Sequence, residues 1–360
     1  SFKEIANNPK ATIDFDFEDH NKIMSLVDEI GSDGRLLLTK SKDIYHANLC
    51  EKLLVLSLAK ICNYVPGAGI WLNTQRPEWN DANNALVGNG TSMVTVYYLK
   101  RFLEFFKKLI SKIKIDDIDI SLEVLLWFDE VEKAMVTYKN INHSTISDRD
   151  RMDYVSRLGK IFENYRKKIY CKGFSTSKKL SLGKLKSFIS TICNQFDETI
   201  LINYSKKGLF DAYNTINIDS KTQSIDVKKL DVMLEGQVAG LSCKSQNCNN
   251  KVLTLKSLFS SNLYRTDMKS FILYPEKKYF KDVILEDNNN DVSNVEPETA
   301  DNIDVGLRYS SPGFNASLTY YDIRFENRIT FFSVAEVDGI DFLESAEGAY
   351  INVGGIDSQG

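Results

Sequence analysis

The chain has 360 residues, of which 43% are hydrophobic and 26% charged, and these values are ordinary for a globular protein with a sizeable core. The formal net charge is −4, so the chain has no excess of basic residues and we expect no nucleic-acid partner. No run of about 18 apolar residues occurs, which excludes a membrane-spanning helix. The opening Ser1–Glu4 has neither an initiator Met nor a signal-peptide pattern, so we expect the chain to be a segment of a longer sequence.

Residues 1–287 repeat apolar residues at helical spacing. In chain order this pattern predicts helices at Asn48–Tyr64, Ser92–Ile110, Ile118–Tyr138, Ser147–Tyr170, Ser181–Ile202 and Asp226–Leu241. Two short apolar stretches, Arg35–Thr39 and Ser270–Tyr274, are predicted to be extended. A succession of long antiparallel helices indicates a mainly α body, an incomplete α/α hairpin array of toroid-like form.

The cysteines and histidines show no ligand spacing. Only Cys243 and Cys248 lie close together, and no second pair follows at the spacing of a zinc site. We therefore expect buried free thiols in a reducing compartment, with no metal and no cofactor. The six cysteines are Cys50, Cys62, Cys171, Cys193, Cys243 and Cys248.

A polar loop between two apolar helices is the strongest functional signal. Polar side chains crowded into a loop between buried helices indicate a pocket. Asp81 is the candidate catalytic acid. The candidate substrate-binding residues of the loop are Arg76, Glu78, Trp79, Asn80, Asn83 and Asn84.

The order Trp79–Asp81, then Asn84, Gly88 and a helix start at Ser92, resembles a loop of the six-hairpin (α/α) glycosidases, in particular the cellobiose phosphorylase type. The resemblance implies that Asp81 is the general acid, that Trp79 is a sugar platform and that the neighbouring amide orients the substrate. It covers about 30 residues, and the body also looks like part of a large uncharacterised bacterial protein with this loop. Two parts depart from the pattern: Ala82–Asn83 replaces a small Gly-containing pair, and Arg76–Glu78 precedes the motif.

The residue types fit that chemistry. Cleavage of a glycosidic bond needs a carboxylic acid for the leaving oxygen and a second group that delivers water or phosphate. In a partly desolvated pocket beside a Trp, the pKa of an Asp is raised because burial disfavours the charged carboxylate. Arg76 could bind phosphate or a carboxylated sugar. The alternative is structural: Asp81 or Asn80 caps the next turn, Trp79 fills core, and Arg76 pairs with Glu78.

A second carboxylate has two candidates. Glu235 lies on an otherwise apolar predicted helix and is a candidate catalytic base, or else a structural carboxylate at a bend marked by Gly236. Asp211 follows a Gly turn and is a candidate for the same pocket, again with a structural alternative.

The composition changes after a polar, acidic stretch at 288–297, which we interpret as a linker between the helical body and a β segment at 298–360. From Glu298 onward there is no Lys or Cys, and three Arg stand against eleven acidic residues, a net −8 that leaves +4 in residues 1–297. Apolar residues alternate at Ile303–Tyr309 and again at Phe314–Tyr320, with a turn at Ser310–Gly313 between them. This pattern predicts an antiparallel hairpin.

The segments Glu298–Tyr309, Tyr320–Ile329 and Tyr350–Gly354 resemble strands in the barrel of TonB-dependent outer-membrane receptors. The resemblance covers about 60 residues and implies a few strands without a plug or closure. An open piece of a barrel has unpaired edges and could not insert or transport by itself.

Three functional hypotheses follow. The first is a glycoside hydrolase or phosphorylase whose partner is an oligosaccharide or glycoside, with phosphate as co-substrate in the phosphorylase version. The second is a TonB-dependent receptor component or a non-catalytic glycan-binding module, with membrane contact through 298–360 alone. The third is a fused or fragmentary chain with no single function. The body has the composition of a protein of the cytoplasm or periplasm, and the tail resembles an outer-membrane segment.

Overall fold

The structure is a computed structural model that describes residues 2–8, 15–39, 43–73, 86–138, 143–245 and 251–275, and the strands between residues 299 and 359. The chain forms two compact units, Ser1–Pro275 and Glu276–Gly360, called here the N-terminal and C-terminal units. The predicted fold class, a mainly α body followed by a short antiparallel β segment, is confirmed. The predicted linker 288–297 lies outside the described residues and stays a prediction.

Helices make up most of the N-terminal unit. Side chains at the caps satisfy free backbone N–H groups: Asn48, Ser92 and Ser147 each accept from the residue three positions on. In the described residues the α-helices are α1 (Phe2–Asn7), α2 (Phe17–Ile30), α3 (Leu49–Ile61), α4 (Met93–Ile110), α5 (Leu122–Thr137), α6 (Asp148–Lys172), α7 (Leu182–Ile202), α8 (Leu234–Ser242) and α9 (Lys251–Phe259). Helix α4 packs against α7 and α8, and α5 packs against α6.

A five-stranded antiparallel sheet, which the sequence analysis did not predict, accompanies these helices. Its order is β1-β2-β3-β6-β7. The strands are β1 (Tyr64–Val65), β2 (Gly69–Trp71), β3 (Gly90–Ser92), β6 (Tyr213–Asp219) and β7 (Ser224–Lys229). Two small two-stranded antiparallel sheets lie elsewhere, β4 (Asp117–Ser121) with β5 (Ser177–Ser181) and β8 (Tyr264–Arg265) with β9 (Ser270–Phe271).

The structure corrects two predicted helices. The segment Asp226–Leu241 is not one helix, because Ser224–Lys229 forms β7 and α8 begins only at Leu234. The predicted helix at Ile118–Tyr138 begins later, since its first residues belong to β4. In both cases a short alternating stretch precedes the helix, and a partner strand stabilises it as extended chain.

The core of the N-terminal unit is one large cluster of buried side chains from α3–α8, including Phe106, Trp127 and Phe196. A smaller cluster lies between α1, α6 and the sheet. Within the described part of the chain no helix is long and apolar enough to cross a membrane. Cys62 and Cys193 are buried free thiols as expected, and Cys243 is buried, whereas Cys171 is exposed; Cys248 lies outside the described residues.

The C-terminal unit contains the predicted hairpin. Strands β10 (Thr299–Ser311) and β11 (Phe314–Glu326) pair in one continuous antiparallel register from Thr299–Glu326 to Ser311–Phe314. Strand β14 (Ile356–Gln359) pairs with the C-terminal end of β11, and β12 (Ile329–Phe332) pairs with β13 (Ala349–Asn352). The hairpin prediction is therefore confirmed, and the structure adds the register of its two strands.

Candidate functional site

The candidate residues of the polar loop fall within residues 74–85, which lie outside the described part of the chain. Their proposed roles therefore stay predictions. These residues are Arg76, Glu78, Trp79, Asn80, Asp81, Asn83 and Asn84.

The two ends of that loop meet in a hydrogen-bonded stem, formed by residues 71–73 and 88–90. The Leu72 N–H donates to the Gly90 carbonyl at 2.9 Å, and the Gly88 N–H donates to the Leu72 carbonyl at 2.6 Å. The buried indole of Trp71 donates to the Gly88 carbonyl at 2.8 Å. Gly88 has a φ of 85°, a left-handed conformation that glycine adopts without steric cost. The stem fixes where the loop leaves and rejoins the sheet.

Asp211 is placed just before β6, beside the first turn of α4. Its N–H donates to the Asn203 carbonyl at 2.8 Å, and its carbonyl accepts from the Tyr97 hydroxyl at 2.9 Å. Its carboxylate, in a residue that is 5% exposed, forms an ion pair of 2.7 Å with Lys229. Burial raises the pKa of Asp211 above its ordinary value, although the Lys229 ammonium works in the opposite direction.

Glu235 lies half-buried in the first turn of α8. Helix α8 is held against the segment that contains Asp211, because the Gln237 amide donates to the Phe210 carbonyl at 2.7 Å and accepts from the Phe210 N–H at 2.9 Å. Gly236 touches the same segment, so closely that a Cβ would come within 2.9 Å of the Phe210 carbonyl oxygen. The fold therefore brings together the two elements that carry Asp211 and Glu235.

Sequence reasoning did not identify Lys229 as the partner of Asp211. The error follows from the predicted helix at Asp226–Leu241, which placed Lys229 on the same helix as Glu235. In the structure Lys229 ends β7, and its register partner Asn214 lies three residues after Asp211. The sequence did contain a signal for a strand, because apolar and polar residues alternate from Ser224 to Lys228.

Two further buried carboxylates accept hydrogen bonds from residues in or next to the paired strands β4 and β5. Glu51 accepts from the N–H of Ser121 at 3.2 Å and from its hydroxyl, which also contacts the Tyr45 hydroxyl. Glu123 accepts from the Ser175 hydroxyl at 2.6 Å; burial opposes ionisation, but the bonds from Ser175 hold the pKa of Glu123 below its ordinary value. Because serine donors satisfy both carboxylates, we assign them a structural role.

The described residues contain no group of three or more His, Cys, Asp or Glu side chains arranged to hold a metal ion.

The β10–β11 hairpin presents apolar side chains to its surroundings. Leu318 is 72% exposed and Tyr320, two residues further along the same face, is 49% exposed. Gly306 and Arg308 are exposed on β10, and their register partners are Thr319 and Ser317. Large apolar side chains left outside the packed interior indicate a face that is covered by another protein surface or by lipid.

Comparison with known proteins gives one family match. Residues 278–360 match the model of the TonB dependent receptor-like β-barrel family. The match covers the strands β10–β14 and none of the N-terminal unit. No curated protein matches the chain.

Proposed function

We propose that the C-terminal unit supplies strands to an outer-membrane β-barrel of the TonB-dependent receptor kind, and that the chain acts as a component of such a receptor. The observation that carries the proposal is the family match over residues 278–360. The matched region is the one in which β10 and β11 pair over thirteen residues each, long enough for a tilted membrane-crossing strand.

The exposed side chains on β11 support the same proposal. In a membrane barrel one face of each strand meets lipid and the other faces the lumen. Leu318 and Tyr320 share one face, and Thr319 lies between them on the other. The hairpin alone would leave backbone donors and acceptors unpaired at its outer edges, so the proposal requires further strands that close the barrel.

A pair of charge substitutions tests the assignment of the lipid face. Leu318→Arg places a charge on the face proposed to meet lipid and should destabilise insertion by up to about 2–4 kcal/mol. Because further strands must close the barrel, β10–β11 is put in place of one hairpin of a complete TonB-dependent receptor barrel. Diluted from urea into dimyristoylphosphatidylcholine vesicles, this chimera should float with the lipid, and its Leu318→Arg variant should float much less.

Thr319→Arg is the matched control, because it adds the same charge at the neighbouring position on the opposite face. We expect this variant of the chimera to float as the unmodified chimera does. Equal loss in both variants, or no flotation of the unmodified chimera, would count against the barrel assignment.

We also propose a second function, glycoside cleavage by the loop at 74–85, with Asp81 as general acid and Glu235 as candidate base. The stem between Leu72 and Gly90 supports it, since catalytic loops need fixed ends on a rigid scaffold. Asp211 is a weaker candidate for substrate binding, because its carboxylate is already engaged by Lys229.

The Asp81→Asn variant tests this second function. A general acid cannot be replaced by an amide without loss, so hydrolysis and phosphorolysis of a glycoside panel should fall about 100-fold or more. Release of reducing sugar and consumption of inorganic phosphate distinguish the two reactions. If the unmodified chain and the variant have equal activity, Asp81 is not the acid.

A further inference from the structure

A cavity of about 740 Å³ lies at the C-terminal end of α4, whereas the polar loop precedes the N-terminal end of this helix. Four lysines surround it: Lys107 and Lys108 from the last turn of α4, Lys112 from the turn after it, and Lys244 from the segment that follows α8. The cavity wall also contains exposed apolar side chains, Phe105 at 62% and Leu109 at 39%.

The four ammonium groups have no acidic partner in the part of the chain that the structure describes. Lys107 donates to the hydroxyl of Ser190 at 2.6 Å, and none of the four takes part in an ion pair among those residues. The cavity is therefore lined by four positively charged side chains that form no ion pair with a carboxylate of the described residues.

One acidic residue, Glu104, does line the cavity, and it shares the single ammonium of Lys100 with Asp197, so this network sets one net negative charge against the four lysines. The Glu104 carboxylate lies 2.5 Å from the ammonium of Lys100, a residue that is 1% exposed. The same ammonium lies 3.5 Å from the carboxylate of Asp197 and donates to the Lys244 carbonyl at 2.5 Å. This buried network fixes the backbone of Lys244 at the cavity and leaves its side chain exposed.

Helix polarity accounts for only part of the arrangement. Cations in the last turn of a helix are stabilised by the partial negative charge of its carbonyls, which explains Lys107 and Lys108. It does not explain Lys244, which comes from a different segment. It also does not extend to Lys112, which lies in the turn beyond the last residue of α4.

We propose that this cavity is a binding site for a small phosphate-bearing anion with an apolar portion. A multiply charged phosphate group would relieve the repulsion among several lysines, whose compact ammonium groups suit phosphate oxygens. Phe105 and Leu109 provide a surface for the apolar portion. The site is independent of both functions proposed above, and no residue is shared with them.

Calorimetric titration of the full chain in dodecyl maltoside with pyrophosphate, at fixed ionic strength, tests the site. We expect saturable binding. The double variant Lys112→Gln/Lys244→Gln should bind about tenfold or more weakly, because each charge-assisted contact to phosphate is worth on the order of a factor of ten.

Lys178→Gln/Lys179→Gln is the matched control, since it removes the same charge from two exposed lysines on β5. This control should bind within about twofold of the unmodified chain, because neither lysine lines the cavity and exposed charges are screened. Circular dichroism of both variants verifies that they are folded. An equal loss of affinity in the two variants would overturn the proposal, since it would show only a general charge effect.

The phosphate group could belong to a soluble ester or to a lipid headgroup, and a second arm separates these sources. The full chain is sedimented with phosphatidylcholine vesicles with and without phosphatidylglycerol. Phosphatidylglycerol-dependent binding that is lost in Lys112→Gln/Lys244→Gln assigns the site to a headgroup, and pyrophosphate binding alone assigns it to a soluble ester. Absence of both kinds of binding overturns the site.

Discussion

At the residue scale, a buried histidine gives the N-terminal unit a pH dependence. The Nδ1 atom of His143 lies 3.1 Å from the Thr199 hydroxyl and 3.3 Å from the Tyr64 hydroxyl. The residue is 4% exposed, and burial, followed by the positive charge of Arg151, lowers the pKa of His143 to about 4. The Glu198 carboxylate, 3.8 Å away, acts in the opposite direction, but this side chain is 45% exposed and solvent screens it.

We predict that His143 makes the folded state less stable in acid. Its pKa is lower in the folded state than the ordinary 6.5, so the unfolded chain binds the proton more readily between these two pH values. The stabilisation is fully present above pH 6.5 and falls by about 3 kcal/mol as the pH decreases to about 4. Urea unfolding of the unmodified chain and of His143→Gln, at several pH values from 7 to 4, measures the difference.

The exposed His46 provides the control for this experiment. His46→Gln makes the same substitution at a solvent-exposed position, so it serves as the comparison for the replacement itself. If His143→Gln follows the same pH dependence as the unmodified chain, the buried imidazole is not responsible.

At the element scale, the long helices were predictable from sequence and the sheet was not. Met93–Ile110 and Leu182–Ile202 repeat apolar residues over several turns, so their helical period is well sampled. Strands β1 to β3 have only two or three residues each, too few to show a period of two. They become strands through partners distant in sequence, as when Ser92 pairs with Tyr213.

The candidate site was likewise predictable in part. The sequence identifies polar residue types, but Asp211 acquires its partner Lys229 only when β6 and β7 pair. The hairpin β10–β11 was predictable with its register, because its strands are long, alternate strictly and follow one another directly in the chain.

Helix α8 gives a prediction at this scale. Gly236 lies against the segment before β6, where an added Cβ would come within 2.9 Å of the Phe210 carbonyl oxygen and 3.0 Å of the Ala212 nitrogen. Gly236→Ala should therefore decrease the free energy of unfolding by about 1–3 kcal/mol, because backbone atoms cannot move aside easily. Urea unfolding monitored by circular dichroism gives this value.

Gly183, in the first turn of α7, is the matched control. A Cβ there would meet only the Ser181 hydroxyl at 3.4 Å, so Gly183→Ala should be neutral or stabilising by up to about 1 kcal/mol through helix propensity. Destabilisation of the same size in both variants would mean that the close approach of α8 is not the cause.

At the scale of the whole molecule, the two units have separate sources of stability. Among the residues that the structure describes, the three clusters of buried hydrophobic side chains lie in the N-terminal unit, as does the five-stranded sheet. The C-terminal unit instead exposes Leu318 and Tyr320. The change in charge, from +4 over residues 1–297 to −8 after them, made a division of the chain visible in the sequence.

We predict that residues 1–275 fold when produced alone. Since residues of the N-terminal unit form the hydrophobic clusters of the described part of the chain, urea should unfold residues 1–275 in one cooperative transition. Fluorescence of the buried Trp71 and Trp127 reports that transition, and its midpoint should match the corresponding transition of the full chain. The Leu318→Arg substitution in the full chain should not move this midpoint. A gradual transition with strong binding of a hydrophobic dye would show that the N-terminal unit depends on residues beyond Pro275, and that its hydrophobic clusters alone do not make it stable.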